Sequence, residues 1–381
     1  MTTAIACANA GYSVAIIDNS EFSDAKFETD KRTSALTANT LKFFTELGLE
    51  FQKSQLGIID HIYTFESTAK PVLSFDSAES NHIGAVCFNS DLKSILLNKI
   101  KQNPLISIHE HATVTNASCD LHFITISAIT KNAEKFLFKS KLLLACDGKS
   151  SKIATINNIK KYSIPYNQVA FIFNISHTQN HKNIAVESFN PNGPFAILPL
   201  ANPTQSAIIW TISCESAKIL DKYQTQGNEI FTDLLKQNLA RMRHIGEFAG
   251  IISEVQKYNL AISCLKTQIS DRTFFVGDAY NAIHPVAGQS FNMSIKDIQK
   301  LRTSLINCKK LGLDFGSHSV LQNIAKSNIT HHIAMNLFTD VMVRAFSNKS
   351  EILKTLRNFG VIVANNIPQI NSILLKNASG L

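Results

Sequence analysis

The sequence lacks the features that mark several large classes of protein. It contains no run of about 18 apolar residues, so no transmembrane helix is expected. Its seven cysteines form no CxxC pair and no Cys/His ligand spacing, which argues against a zinc site and predicts mostly buried thiols in a reducing compartment. Charged residues are scarce at 17%, while hydrophobic residues reach 45%, a balance typical of globular and not of disordered proteins.

A signal peptide is also not expected, because no basic segment precedes the first apolar stretch. The 381 residues can bury a full core and form two domains. The formal net charge of +8 is compatible with an anionic membrane, a nucleic acid or an anionic cofactor, or with a basic surface that has no dedicated partner. Because the sequence has no Lys/Arg-dense run and no nucleic-acid motif, no nucleic-acid partner is expected.

The first residues contain half of a dinucleotide-binding unit. Small residues from Ile5 to Ala10 predict a helix packed closely on a sheet, and Gly11 fits its end. Val14 to Ile17 predict a parallel strand that ends at Asp18, where a βαβ unit places the acidic residue that binds the adenosine ribose. The first strand and its Gly-x-Gly-x-x-Gly loop do not occur in the sequence. A start upstream of Met1, a decayed gene and a protein that dispenses with the loop are the alternatives.

The most informative stretch runs from Thr273 to Leu301. A short apolar strand ends at Gly277 and Asp278, a loop follows, and a helix begins near Gln289. In open α/β sheets, ligands bind beyond the carboxyl ends of the strands, where this loop lies. Gly277 allows a ligand to approach the backbone, and the helix start offers unpaired N–H groups and the positive end of a dipole.

The same stretch resembles the GDAAHxxxPxxGQGxNxGxxD signature of the FAD-dependent aromatic hydroxylases, which are similar to p-hydroxybenzoate hydroxylase. Within that family it is most similar to the ubiquinone-biosynthesis hydroxylases. The resemblance implies that Asp278, next to Gly277, holds the ribityl chain of FAD. It also implies that the loop and the helix start face the flavin ring with Pro285, Gly288, Gln289 and Asn292.

A second motif near the start of the chain fits the same family. Residues 30–36 resemble its D-x-R-x-x-A-L motif, which implies that Arg32 lies beside the flavin. Thr33 or Ser34 is a good N-cap, so a helix is expected from there to Gly48.

A third motif follows a predicted buried strand at residues 142–146. Asp147 and Gly148 resemble the start of a second fingerprint, A-D-G-x-x-S-x-v-R, which implies a contribution to the FAD site and to the use of reduced nicotinamide. The final Arg of that fingerprint is replaced by Ala154. Taken alone, a strand followed by Asp-Gly is more often a simple turn.

The implied fold class is α/β, with an FAD-binding Rossmann-like domain, an inserted β-rich substrate domain and a helical C-terminus. The expected FAD-binding domain is discontinuous and covers residues 1–56, 85–157 and 259–310. The expected substrate domain covers 57–84 and 158–258, with strands in 165–214 and helix in 226–256, and the C-terminal helical region is 311–381. Residues 193–200 resemble a G-P-x-A-x-L-P-L segment of the ubiquinone hydroxylases.

The resemblance implies hydroxylation of a phenolic ring, with FAD as cofactor, NAD(P)H as co-substrate and O₂ as the oxygen source. A polyprenylated phenol of ubiquinone biosynthesis is the expected substrate. Such a molecule lies in a bilayer, so the expected location is the cytoplasm or the surface of the inner membrane, and a ubiquinone-biosynthesis complex is a further expected partner. No catalytic side chain and no metal ligand is assigned, since the cofactor carries the chemistry and a packed or solvent-facing His284 is favoured over a base.

The alternative function is a non-catalytic remnant or a structural member of a biosynthetic complex. Its support is the missing glycine loop together with departures from the family signature at Ala154, Tyr280, Asn281, Ser290 and Ser294. A flavin-dependent reductase or halogenase of the same fold is a further alternative. The halogenase is less favoured, because no W-x-W-x-I-P-like motif surrounds the single Trp.

Overall fold

The computed structural model describes residues 1–66, 73–77, 82–190, 193–224, 229–240, 243–283 and 288–347. Within these ranges the helices are α1 (Thr2–Asn9), α2 (Asp24–Glu28), α3 (Ala38–Glu46), α4 (Asn89–Lys101), α5 (Lys152–Ile156), α6 (Cys214–Gln224), α7 (Glu229–Leu239), α8 (Gln289–Leu311) and α9 (His318–Ser347). The strands of the first half are β1 (Val14–Ile17), β2 (Thr33–Thr37), β3 (Gly57–Ile59), β4 (His61–Glu66), β5 (Leu73–Asp76), β6 (Gly84–Phe88), β7 (Ile106–His109), β8 (Ala112–Cys119), β9 (Ile124–Thr130), β10 (Lys135–Ser140) and β11 (Leu143–Ala145). The later strands are β12 (Lys161–His177), β13 (Ile184–Asn190), β14 (Gly193–Pro199), β15 (Gln205–Ser213), β16 (Phe248–Ile251), β17 (Gln256–Leu265), β18 (Ile269–Ser270), β19 (Thr273–Phe275) and β20 (Asn281–Ala282).

Two parallel strand pairs form the part of the fold that the sequence assigns to nucleotide binding. β1 pairs with β7, and β11 pairs with β19, whose other edge carries the short antiparallel strand β18. Helices α1, α3, α4 and α8 pack around a shared apolar core beside these strands. Its fully buried members include Ile5, Phe43, Phe44, Phe274 and Leu301.

The two parallel pairs are separate sheets. Among the described residues, β1 pairs only with β7, and β11 pairs only with β19. The first turn of α1 lies beside the end of β11, because the thiol of Cys146 is 3.6 Å from the hydroxyl of Thr3. The amino group of Met1 lies close enough to both Asp18 and Cys146 to interact with them electrostatically, and burial lowers its pKa. The start of α1 therefore lies near the carboxyl ends of both β1 and β11.

The β-rich part of the chain forms one large mixed sheet. Its strands follow the order β20-β17-β12-β15-β14-β13-β4-β5, and β16 pairs with the far end of β12. All of these neighbours are antiparallel except β13 and β4. Helices α6 and α7 cover the sheet through an apolar cluster that includes Phe171, Phe173, Trp210, Phe231 and Leu235. The predicted mixed α/β fold is confirmed, whereas the predicted boundary between 258 and 259 lies inside β17.

The C-terminal part that the structure describes is helical, as predicted. It consists of α9 after the end of α8 at Leu311, and residues 348–381 of the predicted helical region lie outside the described residues. No helix within the described ranges is long and apolar enough to cross a membrane.

The predicted helix start at Thr33 or Ser34 is wrong. Residues 33–37 form the strand β2, which pairs antiparallel with β6, so that Leu36 lies opposite Ala85. The helix begins at Ala38, and the side chain of Thr37 accepts a hydrogen bond from the backbone N–H of Thr40. The N-cap is Thr37 and not Thr33 or Ser34, because the two earlier residues pair with β6 as part of the strand.

The prediction of continuous helix at 226–256 is wrong in its second half. Helix α7 ends at Leu239, and residues 248–251 form β16, which pairs with β12. The cysteine prediction is also wrong in part. Cys7, Cys87 and Cys308 are buried, whereas Cys119 and Cys146 are exposed.

Candidate cofactor-binding site

Three strand ends carry the predicted acidic residues. β1 ends next to Asp18, β11 is followed by Asp147, and β19 is followed by Asp278. The backbone N–H of Val276 donates to the carbonyl of Ala145 at 2.9 Å, so the segments after β11 and β19 leave the sheet side by side. Parallel strands therefore place Asp147 and Asp278 at one carboxyl edge, where open α/β sheets bind their ligands.

Asp278 is exposed, and among the described residues its carboxylate has one hydrogen-bond partner. The hydroxyl of Ser290, in the first turn of α8, donates to Asp278 Oδ1 at 3.0 Å. The hydroxyl of Ser294 donates to the backbone carbonyl of Ser290 at 3.0 Å. A Cβ atom on Gly277, whose φ is +59°, would lie 2.8 Å from Ser294 Oγ. The two serines that depart from the family signature therefore pack directly against the Gly277–Asp278 turn.

The start of α8 leaves its first backbone N–H groups without a side-chain cap. Its N-cap is Gly288 with φ +62°, a left-handed conformation that glycine adopts readily. Gln289 begins the helix and is partly buried. Uncapped N–H groups and the positive helix end favour an anionic group at this point. Pro285 and His284, in the preceding loop, lie outside the described residues.

Asn292 joins this helix start to β2 through its buried side-chain amide. Its Oδ1 accepts hydrogen bonds from the N–H of Thr37 at 3.0 Å and the hydroxyl of Thr40 at 2.8 Å. Its Nδ2 donates to the carbonyls of Ala35 at 2.9 Å and Gly288 at 3.0 Å. Asn292 therefore fixes the helix start against β2, and its amide is engaged with the protein.

Arg32 lies just before β2 and is held by an acidic partner. Its Nε and one terminal nitrogen each donate to Asp30 at 2.7 Å, and Lys93 donates to the same carboxylate at 2.7 Å. Burial favours the neutral form of Asp30, but the hydrogen bonds from Arg32 and Lys93 prevail and hold its pKa well below its usual value. The guanidinium carbon lies 5.9 Å from the ring centroid of Tyr258 on β17. The sequence pointed to Arg32 but not to Lys93 or Tyr258.

The turn after β11 is a second open cradle. Asp147 is exposed, and its Oδ2 accepts a hydrogen bond from the N–H of Ile153 at 3.0 Å. Gly148 has φ +76°, and a Cβ atom there would meet no atom within 4 Å. Ala154, in place of the family's Arg, is buried in an apolar cluster with Phe275 and Leu265.

Asp18 lies at the end of β1 with its carboxylate partly exposed. Its Oδ1 accepts a hydrogen bond from the N–H of Ser20 at 2.8 Å, which leaves Oδ2 for a ligand hydroxyl. Asp18, Asp278 and the start of α8 match the hydroxyl-rich and anionic groups of a flavin dinucleotide. The first glycine of the sequence is Gly11, so the residues present supply no glycine-rich turn for the pyrophosphate. The described residues therefore fit the ribose, ribityl and flavin ends of FAD.

Comparison with known proteins identifies the family of the chain. The family described as "FAD binding domain" matches residues 1–310. Ubiquinone hydroxylase UbiL of Rhodospirillum rubrum is 26% identical over 386 residues, covering 100% of this chain and 86% of the relative. The 3-demethoxyubiquinol 3-hydroxylase of Escherichia coli is 24% identical over 394 residues, covering 99% of this chain and 95% of the relative.

Solved structures share the same architecture. The p-nitrophenol 4-monooxygenase PnpA of Pseudomonas putida superposes with a TM-score of 0.78 at 14% identity, covering 99% of this chain and 93% of that protein. The flavin-dependent halogenase CmlS superposes with a TM-score of 0.72 at 14% identity, covering 93% of this chain and 64% of that protein. At such identities these structures establish the fold alone. Because the family match spans 310 residues of 381, the chain belongs to the FAD-binding domain family.

Proposed function

We propose that this protein is an FAD-dependent monooxygenase that hydroxylates a phenolic ring, with NAD(P)H as the reductant and O₂ as the oxygen source. One observation carries the proposal. The exposed carboxylate of Asp278 lies beside the uncapped start of α8, in a chain whose residues 1–310 match the FAD-binding family.

The proposed substrate is a polyprenylated phenol of ubiquinone biosynthesis. The two relatives described above are named as hydroxylases that act in ubiquinone biosynthesis or on a ubiquinol precursor. They align with almost the whole of this chain, which favours a substrate of the same class. A substrate with a polyprenyl tail lies in a bilayer, so we also propose that the protein works at the surface of a membrane.

The proposed roles of the site residues follow from their positions. Asp18 accepts a hydrogen bond from the adenosine ribose, and Asp278 accepts one from the ribityl chain. The N–H groups that follow Gly288 face the part of the flavin ring that gains negative charge on reduction. Asn292 fixes that helix start to β2, and Arg32 lies beside the ring with its guanidinium held by Asp30.

The remaining positions of the signature belong to the same proposal. Gly148, where a Cβ atom would meet nothing within 4 Å, gives the cofactor close access to the backbone beside Asp147, whereas Ser294 occupies the corresponding space at Gly277. Gln289 begins the helix that faces the ring. Pro285 is assigned by its place in the signature. Bound FAD supplies the reduction and oxygen-activation chemistry, while the protein orients the phenol and excludes water. This division of labour requires no catalytic acid or base among the described residues.

The strands that face the proposed substrate belong to the large sheet. β14 directs Phe195 and Ile197 into the apolar cluster beneath α6 and α7, so the partly buried Ala196 and Leu198 lie on the opposite face of the sheet, and Gly193 packs so closely on β15 that a Cβ atom would lie 2.3 Å from the carbonyl of Thr211. A rigid sheet of this kind suits the wall of an apolar pocket. The proposed division into the FAD-binding domain, the substrate domain and the C-terminal helical region keeps the boundaries given above.

The alternative, a non-catalytic member of a biosynthetic complex, draws on one structural feature. β1 and β11 lack a second neighbour within the described residues, on either side of the α1 start. Without a glycine turn, the pyrophosphate would have to rely on the rest of the cradle. The length of the alignments to hydroxylases favours the catalytic function over this alternative.

The test is a turnover assay on the purified chain supplied with FAD. We expect oxidation of NAD(P)H that a prenylated phenol stimulates, together with a product that carries one oxygen atom from ¹⁸O₂. Asp278→Ala should lose both, while Asp271→Ala, at an exposed carboxylate in the turn before β19, should retain both. NAD(P)H oxidation that no phenol stimulates, with hydrogen peroxide as the only product, would contradict a hydroxylase.

A further inference from the structure

The middle of α9 has the reverse of the usual polarity of a surface helix. Asn328 and His332, spaced four residues apart, are buried with 0% and 2% of their surface exposed. Ile329, Ile333 and Leu337 have the same spacing but are 49%, 60% and 61% exposed. Residues spaced by four lie on one face of a helix, so the polar row points inward and the aliphatic row points outward.

Hydrogen bonds hold the polar row inside. His332 lies 2.8 Å from a carboxylate oxygen of Asp297 on α8, which is 1% exposed. The amide nitrogen of Asn281 lies 3.0 Å from His332 Nδ1 and 3.0 Å from the side-chain oxygen of Asn336. These contacts fix the rotation of α9, so Ile329, Ile333 and Leu337 cannot turn inward without breaking a buried polar network.

Basic side chains border the aliphatic row. Lys296 and Lys300 lie on α8, and Lys326 lies on α9 one turn before Ile329. Lys300 reaches α9, where its ammonium donates to the carbonyl of Ser327. In α8, and in α9 from His318 to Leu337, the one acidic residue is the buried Asp297. The surface therefore combines exposed aliphatic groups with a net positive charge.

α9 also lies next to the proposed substrate domain. It contacts β13 and β14 of the large sheet, in addition to β18. A bilayer seated on α9 would therefore be adjacent to the strands that we propose to wall the substrate pocket.

We propose that Ile329, Ile333 and Leu337, with Lys296, Lys300 and Lys326, form a docking surface for a bilayer of anionic phospholipid. The proposal rests on the proposed function, since a membrane-resident substrate is what makes such docking useful. Helices that lie in a membrane surface combine an aliphatic face with lysines that attract anionic headgroups. The aliphatic row enters the acyl boundary, and the lysines contact the headgroups beside it.

Co-sedimentation of the full chain with vesicles tests this surface. We expect binding to vesicles of phosphatidylcholine that contain roughly 30% phosphatidylglycerol, an anionic content that attracts basic surfaces. Binding to vesicles of phosphatidylcholine alone should be at least tenfold weaker. The variant Ile329→Ser/Ile333→Ser/Leu337→Ser should bind the anionic vesicles at least tenfold more weakly. The variant Lys296→Gln/Lys300→Gln/Lys326→Gln should lose the preference for anionic lipid and the sensitivity to salt.

A matched control separates this surface from exposed aliphatic residues in general. Leu121 and Leu137 are 87% and 74% exposed on other parts of the fold, and the variant Leu121→Ser/Leu137→Ser should bind vesicles like the unchanged protein. Equal binding by the α9 serine variant, or no vesicle binding by the unchanged protein, overturns the proposal. So does a concentration-dependent dimer that the α9 serine variant abolishes, since a second copy would then be the occupant. None of these outcomes requires turnover, so a failed hydroxylase assay leaves this test intact.

Discussion

Ser290 shows at the scale of a single residue how this chain differs from its family signature. Its hydroxyl donates to Asp278, the carboxylate that we propose to hold the ribityl chain. A ligand hydroxyl that approaches Oδ1 must therefore compete with a protein hydroxyl, while Oδ2 can still accept a hydrogen bond. A net hydrogen bond is worth about 1 kcal/mol, or roughly fivefold in affinity.

Removing this hydroxyl should strengthen FAD binding. Ser290→Ala should lower the dissociation constant of FAD about fivefold, because the Asp278 carboxylate is then free. Quenching of flavin fluorescence in a titration measures the constant, with Ser319→Ala, distant in sequence and in the first turn of α9, as the matched control. Weaker binding in Ser290→Ala would mean that the serine orients the carboxylate for the ligand instead of competing for it.

Asn292 makes four hydrogen bonds inside the protein, with the N–H of Thr37, the hydroxyl of Thr40 and the carbonyls of Ala35 and Gly288. Asn292→Ala should lower the free energy of unfolding by about 2–3 kcal/mol, because buried backbone groups of β2 and the Gly288 carbonyl lose their partner. Urea denaturation measures the loss. A change below about 0.5 kcal/mol, the range of ordinary surface substitutions, would show that water replaces the amide without cost.

The residues around Arg32 show the limit of sequence reasoning at this scale. The motif at residues 30–36 identified Arg32. Asp30, the ion-pair partner of Arg32, also pairs with Lys93, which lies 63 residues further along the chain. A single sequence gives no sign of such a contact, because long-range pairing depends on how α4 packs against α2.

At the scale of elements, local periodicity correctly predicted the helices and strands whose structure is not changed by pairing or packing with distant parts of the chain. β1 was predicted at its observed bounds, and α8 begins at the predicted Gln289. β2 was missed because its residues have a good helix-cap signal, and pairing with β6 decides the outcome. The inward polar face of α9 was missed for a related reason, since the partners of His332 lie 35 and 51 residues earlier in the chain.

The Asp297–His332 contact should couple α8 to α9 strongly. Asp297→Leu should destabilise the protein by about 3 kcal/mol, because it leaves His332 buried without its acceptor. His332→Leu should have a similar effect, since it leaves a buried carboxylate unpaired. The double variant Asp297→Leu/His332→Leu should be less destabilised than the sum of the two, by at least about 1 kcal/mol.

Urea denaturation of the four proteins completes this cycle. Strict additivity would mean that the two side chains do not depend on each other and would remove the structural basis for the fixed rotation of α9. The isosteric change Asp297→Asn keeps a hydrogen-bond acceptor and should fall between the unchanged protein and Asp297→Leu.

At the scale of the whole molecule, buried histidines make the fold sensitive to acid. Burial lowers the pKa of His244 to about 4, and the nearby His177 and His181 lower it further. Burial also lowers the pKa values of His177 and His181 themselves. The folded state thus keeps His244 largely neutral at pH 5, and burial also disfavours the charged forms of His177 and His181. The unfolded chain takes up protons near the ordinary histidine pKa.

The free energy of unfolding should therefore be constant above about pH 7 and fall as the pH drops from about 6.5 towards 4. His244 alone should lower the free energy of unfolding by about 1 kcal/mol at pH 5, after allowance for its partial exposure. Urea denaturation at pH 7.5 and pH 5 measures the difference. His244→Asn should reduce this difference, and an equal or larger difference in that variant would show that other groups cause the acid sensitivity.

The predicted fold class, family and cofactor are confirmed at this scale. They could be predicted from the sequence because three separate motifs pointed to one architecture. The separation of the β1–β7 pair from the β11–β19 pair is the feature that bears most on function. We expect Asp18, which follows β1, and Asp278, which follows β19, to contribute to the affinity for FAD together with the start of α8.

The most direct test is a titration of the purified chain with FAD, followed by visible absorbance of the protein after free flavin is removed. The account predicts a flavin spectrum at close to one FAD per chain, which Asp278→Ala abolishes. No retained flavin, or flavin that Asp278→Ala leaves unchanged, would contradict the assignment of this edge of the sheet as the cofactor site.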